Sequence, residues 1–356
     1  MIMRKVLVVF TGGTIGSKTR GTEINVQEGA GFELLDKYLK TERKEDEISF
    51  KAIQPFTRLS ENFIPSDWEV LYQSIMKHDL SEYSGIIITH GSDTLAYSAA
   101  AVSYMFHDTD IPILLTASNY PLDHPKSEAV RNFASCVAMI EHDPLPGVFV
   151  IFEDDKGLSL VHLASRLMQS KPFTDQFYSI YDMPFGEIQG GKLQVFANDI
   201  NPTLDELRHD RSQIAHKLAK PIFTPDILLL KPYPGFQYTF VNQEYKDKRP
   251  RAILIELYHS GTTGLRSVTE EDALAPFASW CQDNGIDLYA APMKSVSGSL
   301  YASSHDMLAL GITPLAGISL EAALVKLMLA YGVLKEKRDI EQFVKRNLFY
   351  EFVLTM

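Results

Sequence analysis

A short apolar run, Lys5-Val6-Leu7-Val8-Val9-Phe10, ends abruptly in Thr11-Gly12-Gly13-Thr14-Ile15-Gly16. This junction constrains the fold more than any other stretch. β-Branched and aromatic residues in an unbroken apolar run read as a strand buried on both faces, the habit of parallel sheets. Glycines then stop it, because Gly tolerates backbone angles and close approaches that other residues resist. Two threonine hydroxyls are left at the carboxyl end of a first strand, where open α/β sheets hold their ligands. Read alone, Gly-Gly is equally an ordinary tight turn. A phosphate cradle does not fit, since the P-loop ending of Gly-Lys-Ser/Thr is missing.

The design recurs. Gly85–Thr89 is a second buried strand and runs into His90-Gly91-Ser92-Asp93-Thr94, and Pro112-Ile113-Leu114-Leu115-Thr116-Ala117-Ser118 is a third. A fourth is Gly147–Phe152, and Ile48–Gln54 alternates weakly as a further strand. Helices are predicted over Phe32–Leu39, from an N-cap at Ser66 through Met76, over Asp93–Phe106 and over Ser127–His142. The polar, Gly-bearing stretch Ser17–Gly31 reads as a flap. Strand-helix alternation with short connections predicts an α/β fold: a larger N-terminal, mostly parallel, doubly wound sheet domain. The rhythm is lost over Asn198–Thr224, which is polar and ends between prolines, so residues 198–224 read as a linker between domains at 1–197 and 225–356. The smaller C-terminal α/β domain has strands at Ile227–Leu230, Ala252–Leu257 and Ile286–Ala290, and helices at Thr269–Asn284, Leu320–Tyr331 and Asp339–Asn347.

Charge and cysteine usage exclude several functions. A net charge of −11 disfavours wrapping a nucleic-acid backbone. The two cysteines, Cys136 and Cys281, sit in apolar helical contexts that suit reduced core thiols. No Cys/His cluster has zinc-site spacing and no HExxH pattern occurs, so no metal and no cofactor are expected. The N-terminal apolar segment is too short for a signal peptide, and no stretch reaches the roughly 20 apolar residues that span a bilayer. The expected compartment is the cytoplasm, with no membrane partner.

Together the two loops resemble the signature of the L-asparaginase/glutaminase family, in which Thr-Gly-Gly-Thr-Ile and a later His-Gly-Thr-Asp-Thr build one active site. The first is matched fully, and in the second Ser92 stands where the family has Thr. Tyr258-His259-Ser260-Gly261-Thr262 resembles the family's Tyr-Gly-x-Gly-Asn turn, with Thr262 replacing Asn. The region from Tyr301 to Leu327 is similar to the C-terminal part of the cytoplasmic, type I branch.

The resemblance implies hydrolysis of L-asparagine, a small amino-acid amide, to L-aspartate and ammonia through a threonine acyl-enzyme. It makes Thr14 the nucleophile and Ser92, Asp93 and a lysine the accompanying hydroxyl-acid-base group. Ser60 and Glu61 match positions that hold the substrate's α-substituents, Asp93 takes its α-ammonium, and Ala117 contributes a main-chain carbonyl. His90 has no part in the family's proton route. A homodimer or homotetramer is implied, with a neighbouring subunit closing the site. Two departures stand out. The family's Arg-x-x-Lys reads Arg166-Leu167-Met168-Gln169 here, with Lys171 two residues later as the displaced base. The flap tyrosine is missing between Ser17 and Phe32. These departures favour a rival reading as a catalytically weakened or non-catalytic amino-acid sensor. A second rival is the related subunit of a tRNA-dependent amidotransferase. That relative carries an extra N-terminal domain, against which the early motif and the acidic charge argue.

Overall fold

The computed structural model of the protein describes residues 4–13, 15, 17–20, 23–26, 30–42, 48–209, 220–245, 248–297 and 299–353. The backbone divides into two units, Met1–Pro221 with Leu348–Tyr350, and Ile222–Asn347 with Glu351–Met356. The expected linker 198–224 therefore falls with the first unit as far as Pro221.

In the first unit, β1 (Arg4–Phe10) is followed by an antiparallel hairpin, β2 (Ser17–Arg20) and β3 (Glu23–Val26), where the sequence reads only as a flap. Then come α1 (Ala30–Glu42), β4 (Ile48–Ile53), α2 (Pro65–Ile75), β5 (Gly85–Thr89), α3 (Leu95–Met105), β6 (Pro112–Thr116), α4 (Ala129–His142) and β7 (Gly147–Glu153). Five short strands follow: β8 (Ser159–Leu163), β9 (Leu167–Lys171), β10 (Gln176–Ser179), β11 (Gly186–Gln189) and β12 (Lys192–Val195), with α5 (Leu204–Arg208) beyond them. The eight-stranded sheet runs β12-β11-β8-β7-β6-β5-β1-β4. Its pairs from β4 to β7 are parallel, and those from β7 to β12 antiparallel. β5 and β6 are buried along their whole length, as expected of central parallel strands.

The chain leaves β1 for β4 on one side and returns to β5 on the other. That reversal of winding makes the carboxyl end of β1 a topological switch point, where such sheets open a crevice. The far end of the sheet is sealed by a segment from much later in the chain. Phe349 is fully buried with its ring 6.4 Å from that of Phe149. Its carbonyl accepts from Ser165 Oγ at 2.5 Å, and the Tyr350 carbonyl accepts from the Arg166 guanidinium.

Ser66 is not the N-cap of α2. The helix begins at Pro65, whose fixed φ suits a first helical position, and Asp67 Oδ2 accepts the Ile64 N–H at 3.0 Å. Cys136 and Cys281 are both buried free thiols.

The second unit holds β13 (Ile227–Leu230), α6 (Thr239–Glu244), β14 (Ala252–Glu256), α7 (Leu274–Asp283), β15 (Asp287–Met293), α8 (Ala302–Ala309), β16 (Thr313–Ala316), α9 (Leu320–Val333) and α10 (Lys337–Lys345). Its four strands are parallel, in the order β13-β14-β15-β16. Helix α7 starts five residues later than predicted, because Asp272 is held in a turn by the hydroxyls of Thr239 and Thr269. Helix α9 is apolar almost all round and buried. Its one buried cation, Lys326, is fully enclosed and pairs with Glu351. Among the described residues no helix is long and apolar enough to cross a membrane.

Candidate active site

Three loops meet at the carboxyl ends of β1 and β5. The Thr11 N–H and hydroxyl both reach the Thr89 carbonyl, at 3.3 and 2.8 Å, and tie the first loop to β5. This hydroxyl is therefore committed to structure rather than left open at the strand end. The Gly13 N–H donates to the Arg58 carbonyl and the Arg58 N–H to the Thr11 carbonyl, each at 3.0 Å, so the loop after β4 lies alongside the first. Arg58 is fixed in turn by Asp67, Nε to Oδ1 at 2.9 Å.

Gly13 and Gly91 pack backbone to backbone. A β-carbon on Gly13, whose φ is +79°, would lie 2.3 Å from the Gly91 nitrogen. A β-carbon on Gly91 would lie 2.5 Å from Ser60 Oγ. Only glycine permits this approach, and it brings the two signature loops of the sequence into contact.

Ser60 is buried at the head of a 3₁₀ turn over Ser60–Asn62. Its hydroxyl donates to Asp93 Oδ2 at 3.4 Å and accepts the Asp93 N–H at 3.2 Å. Its carbonyl accepts from Thr94 Oγ1 at 2.7 Å. Ser60 and Asp93, predicted from separate motifs, thus form one unit. The Asp93 side chain is exposed. Ser92 is half-buried in the same turn, and Glu61 lies exposed in the 3₁₀ turn. Thr14 lies outside the described residues.

Ala117 is buried, but its carbonyl already accepts from Asn132 Nδ2 at 2.9 Å, and Asn132 Oδ1 takes the Glu153 N–H. His90 is wholly enclosed, with its ring 4.4 Å from that of Phe63. Loss of solvation pulls its pKa down to about 4, so the imidazole is neutral. Nδ1 lies 2.7 Å from the Gly91 carbonyl, which can only accept, so Nδ1 carries the proton and Nε2 is a bare, buried acceptor.

Lys171 is not brought to this group. It is exposed at the end of β9, with Nζ 4.3 Å from the Tyr178 ring centroid on the partner strand β10. Gln169 is there instead, its Nε2 donating to the Asp93 carbonyl at 2.5 Å. Strand alternation puts residues 169 and 171 on one face, but two positions along β9 carry the ammonium toward the hairpin tip. Sequence reasoning marked Gln169 as a gap and missed the contact it makes. It also missed the bond that Thr94 makes to the Ser60 carbonyl, although Thr94 closes the second signature loop, and it missed Asn132, for which no motif gives a signal. Among the described residues, no group of three His, Cys, Asp or Glu side chains is placed to hold a metal ion.

Residues 5–201 match the family pattern described as "Asparaginase, N-terminal". A subunit of the glutamyl-tRNA(Gln) amidotransferase of Methanococcus maripaludis is 26% identical over 356 residues, spanning 97% of this chain and 80% of the relative. The thermostable L-asparaginase from Thermococcus kodakarensis superposes with a TM-score of 0.76 at 23% identity, covering 99% of this chain and 100% of that one. L-asparaginase I from Vibrio cholerae gives the same TM-score of 0.76 at 20% identity, with the same coverage. At these identities the two structures establish the fold alone. The matched pattern spans more than half of the sequence, with both signature loops inside it, and the chain therefore belongs to the asparaginase family.

Proposed function

We propose that this protein hydrolyses the side-chain amide of a small amino acid, L-asparagine first of all. The observation that carries this reading is the meeting of the Thr11–Gly13, Ser60 and Gly91–Asp93 segments at the switch point of the sheet. In the proposed reaction Thr14 Oγ attacks the amide carbon and its proton passes to the leaving nitrogen. The C–N bond then breaks and ammonia departs. Water attacks the resulting ester, freeing the acid and the hydroxyl. The exposed Asp93 carboxylate suits an α-ammonium, and the Ser60 hydroxyl, now turned to Asp93, suits an α-carboxylate. Ser92 supplies the second hydroxyl. Lys171 has no place in this assignment, since its ammonium rests on Tyr178. A cytoplasmic homo-oligomer belongs to the same proposal.

A second reading is favoured by the relatives' name: an ammonia-releasing subunit of an amidotransferase acting on glutamyl-tRNA. Both readings need Thr14. The test is ammonia release by wild type and Thr14→Ala from L-asparagine and L-glutamine. Turnover of asparagine that falls at least about a hundredfold in the variant supports the hydrolase. Turnover of glutamine that rises with added glutamyl-tRNA supports the second reading. No ammonia from either amide overturns both and leaves a binder of the same fold.

A further inference from the structure

The second unit contains a cavity of about 570 Å³ at the amino ends of its parallel strands, opposite the carboxyl ends where such sheets ordinarily hold ligands. Arg251 precedes β14, Asp287 opens β15, Gly311 precedes β16, and Tyr331, Lys335 and Lys337 come from the end of α9 and the start of α10. Its lining carries three cations against one carboxylate, in a chain whose overall charge is −11. The basic character is therefore local and runs against the composition.

The floor is built from linked side chains. The Arg251 guanidinium donates to the Tyr331 carbonyl and lies 5.0 Å from the centre of the Tyr331 ring. The Tyr331 hydroxyl donates to Asp287 Oδ2 at 2.6 Å and meets the Tyr289 hydroxyl at 3.0 Å. Lys337 Nζ pairs with Asp287 Oδ1 at 2.6 Å, and Glu341 of α10 acts on the same ammonium. Asp287 is thus engaged on both oxygens. Arg251 keeps Nε and Nη2 without a protein partner, and the Lys335 ammonium has none either, among the described residues. A stacked guanidinium with an open edge is pre-organised for an oxyanion, and a lysine beside it adds a point charge. A phosphate alone would leave most of the cavity empty, and the volume is in the range that binds small organic molecules.

We infer that this cavity binds a small organic molecule bearing a phosphate group, its oxyanion held between Arg251 and Lys335. The inference stands apart from the chemistry proposed for Thr14. The test is calorimetric titration of the full chain with phenyl phosphate, with malonate and sulfate as rival anions and L-aspartate as competitor. Lys335→Ala is the informative variant because the lysine is exposed and its loss breaks no contact. The expected result is saturable binding that weakens as salt rises, is reduced at least about tenfold in the variant at unchanged Tm, and is indifferent to L-aspartate. No saturable heat, or equal binding by the variant, overturns the inference. Tighter binding of malonate reassigns the ligand class and overturns it too. Equal binding of sulfate reveals an adventitious ion only, and competition by L-aspartate moves the ligand to the other unit.

Discussion

Gln169 stands where the family resemblance implies a lysine. Its amide holds the Asp93 carbonyl at 2.5 Å, so it positions the turn that carries Ser92 and Asp93, but an amide cannot take a proton at neutral pH. A general base is worth about 10²–10⁴-fold in rate. Gln169→Lys is accordingly expected to speed ammonia release from L-asparagine about a hundredfold, the lower end of that range. Lys171→Ala, which removes only the ammonium resting on Tyr178, should leave kcat/KM within about twofold. Steady-state kinetics on the two variants decides this, and a collapse of activity in Lys171→Ala would restore the displaced lysine as base. The sequence puts Gln169 two residues before Lys171 and leaves open where the ammonium lies. Spacing along a strand says which face a side chain takes, and whether the hairpin turns that face toward Asp93 depends on pairing with β10, which no local pattern encodes.

At the level of elements, the parallel strands were legible apart from the four-residue β16, and the antiparallel ones were not. β1, β5, β6 and β7 are continuous apolar runs. β8 to β12 are four or five residues each, half-buried and mixed in polarity, so their period is too short to read. One signal was available. Gly190-Gly191, with φ of +57° and +76°, is the two-residue turn that joins β11 to β12. Two of these strand systems also bury a histidine. His90 follows β5 and His162 lies on β8, and loss of solvation lowers each pKa from 6.5 to about 4. The sign follows directly. Above pH 6.5 both states are neutral and nothing is lost. Between 6.5 and 4 the unfolded chain takes up protons that the folded chain refuses, so stability falls with pH, and the loss is complete below 4. Each histidine contributes about 3 kcal/mol to that loss at 1.36 kcal/mol per unit. Thermal denaturation from pH 7 to pH 4 should show a falling Tm, and His162→Gln should make that fall shallower. An unchanged slope would show that water reaches His162.

For the molecule as a whole, charge bears on the choice between hydrolase and amidotransferase component. A protein that tracks a phosphate backbone neutralises several phosphates with Lys and Arg, whereas this chain has 34 basic against 45 acidic side chains. Filter-binding with unmodified tRNA at about 0.15 M salt is therefore expected to show no retention. Retention with a steep salt dependence would favour the second reading. The loss of strand rhythm near Asn198 reads as a linker over 198–224, and the backbone divides within that stretch, at Pro221.

The seal made by Phe349 has a consequence for how the chain comes to be folded during synthesis. The ribosome delivers the strands of the first unit early, yet the aromatic side chain that closes against Phe149 emerges only after all of Ile222–Asn347 has been made. Domains generally fold as units and in order of appearance. Here the first unit must wait with an open apolar notch, and a product cut at Pro221 would expose that notch permanently.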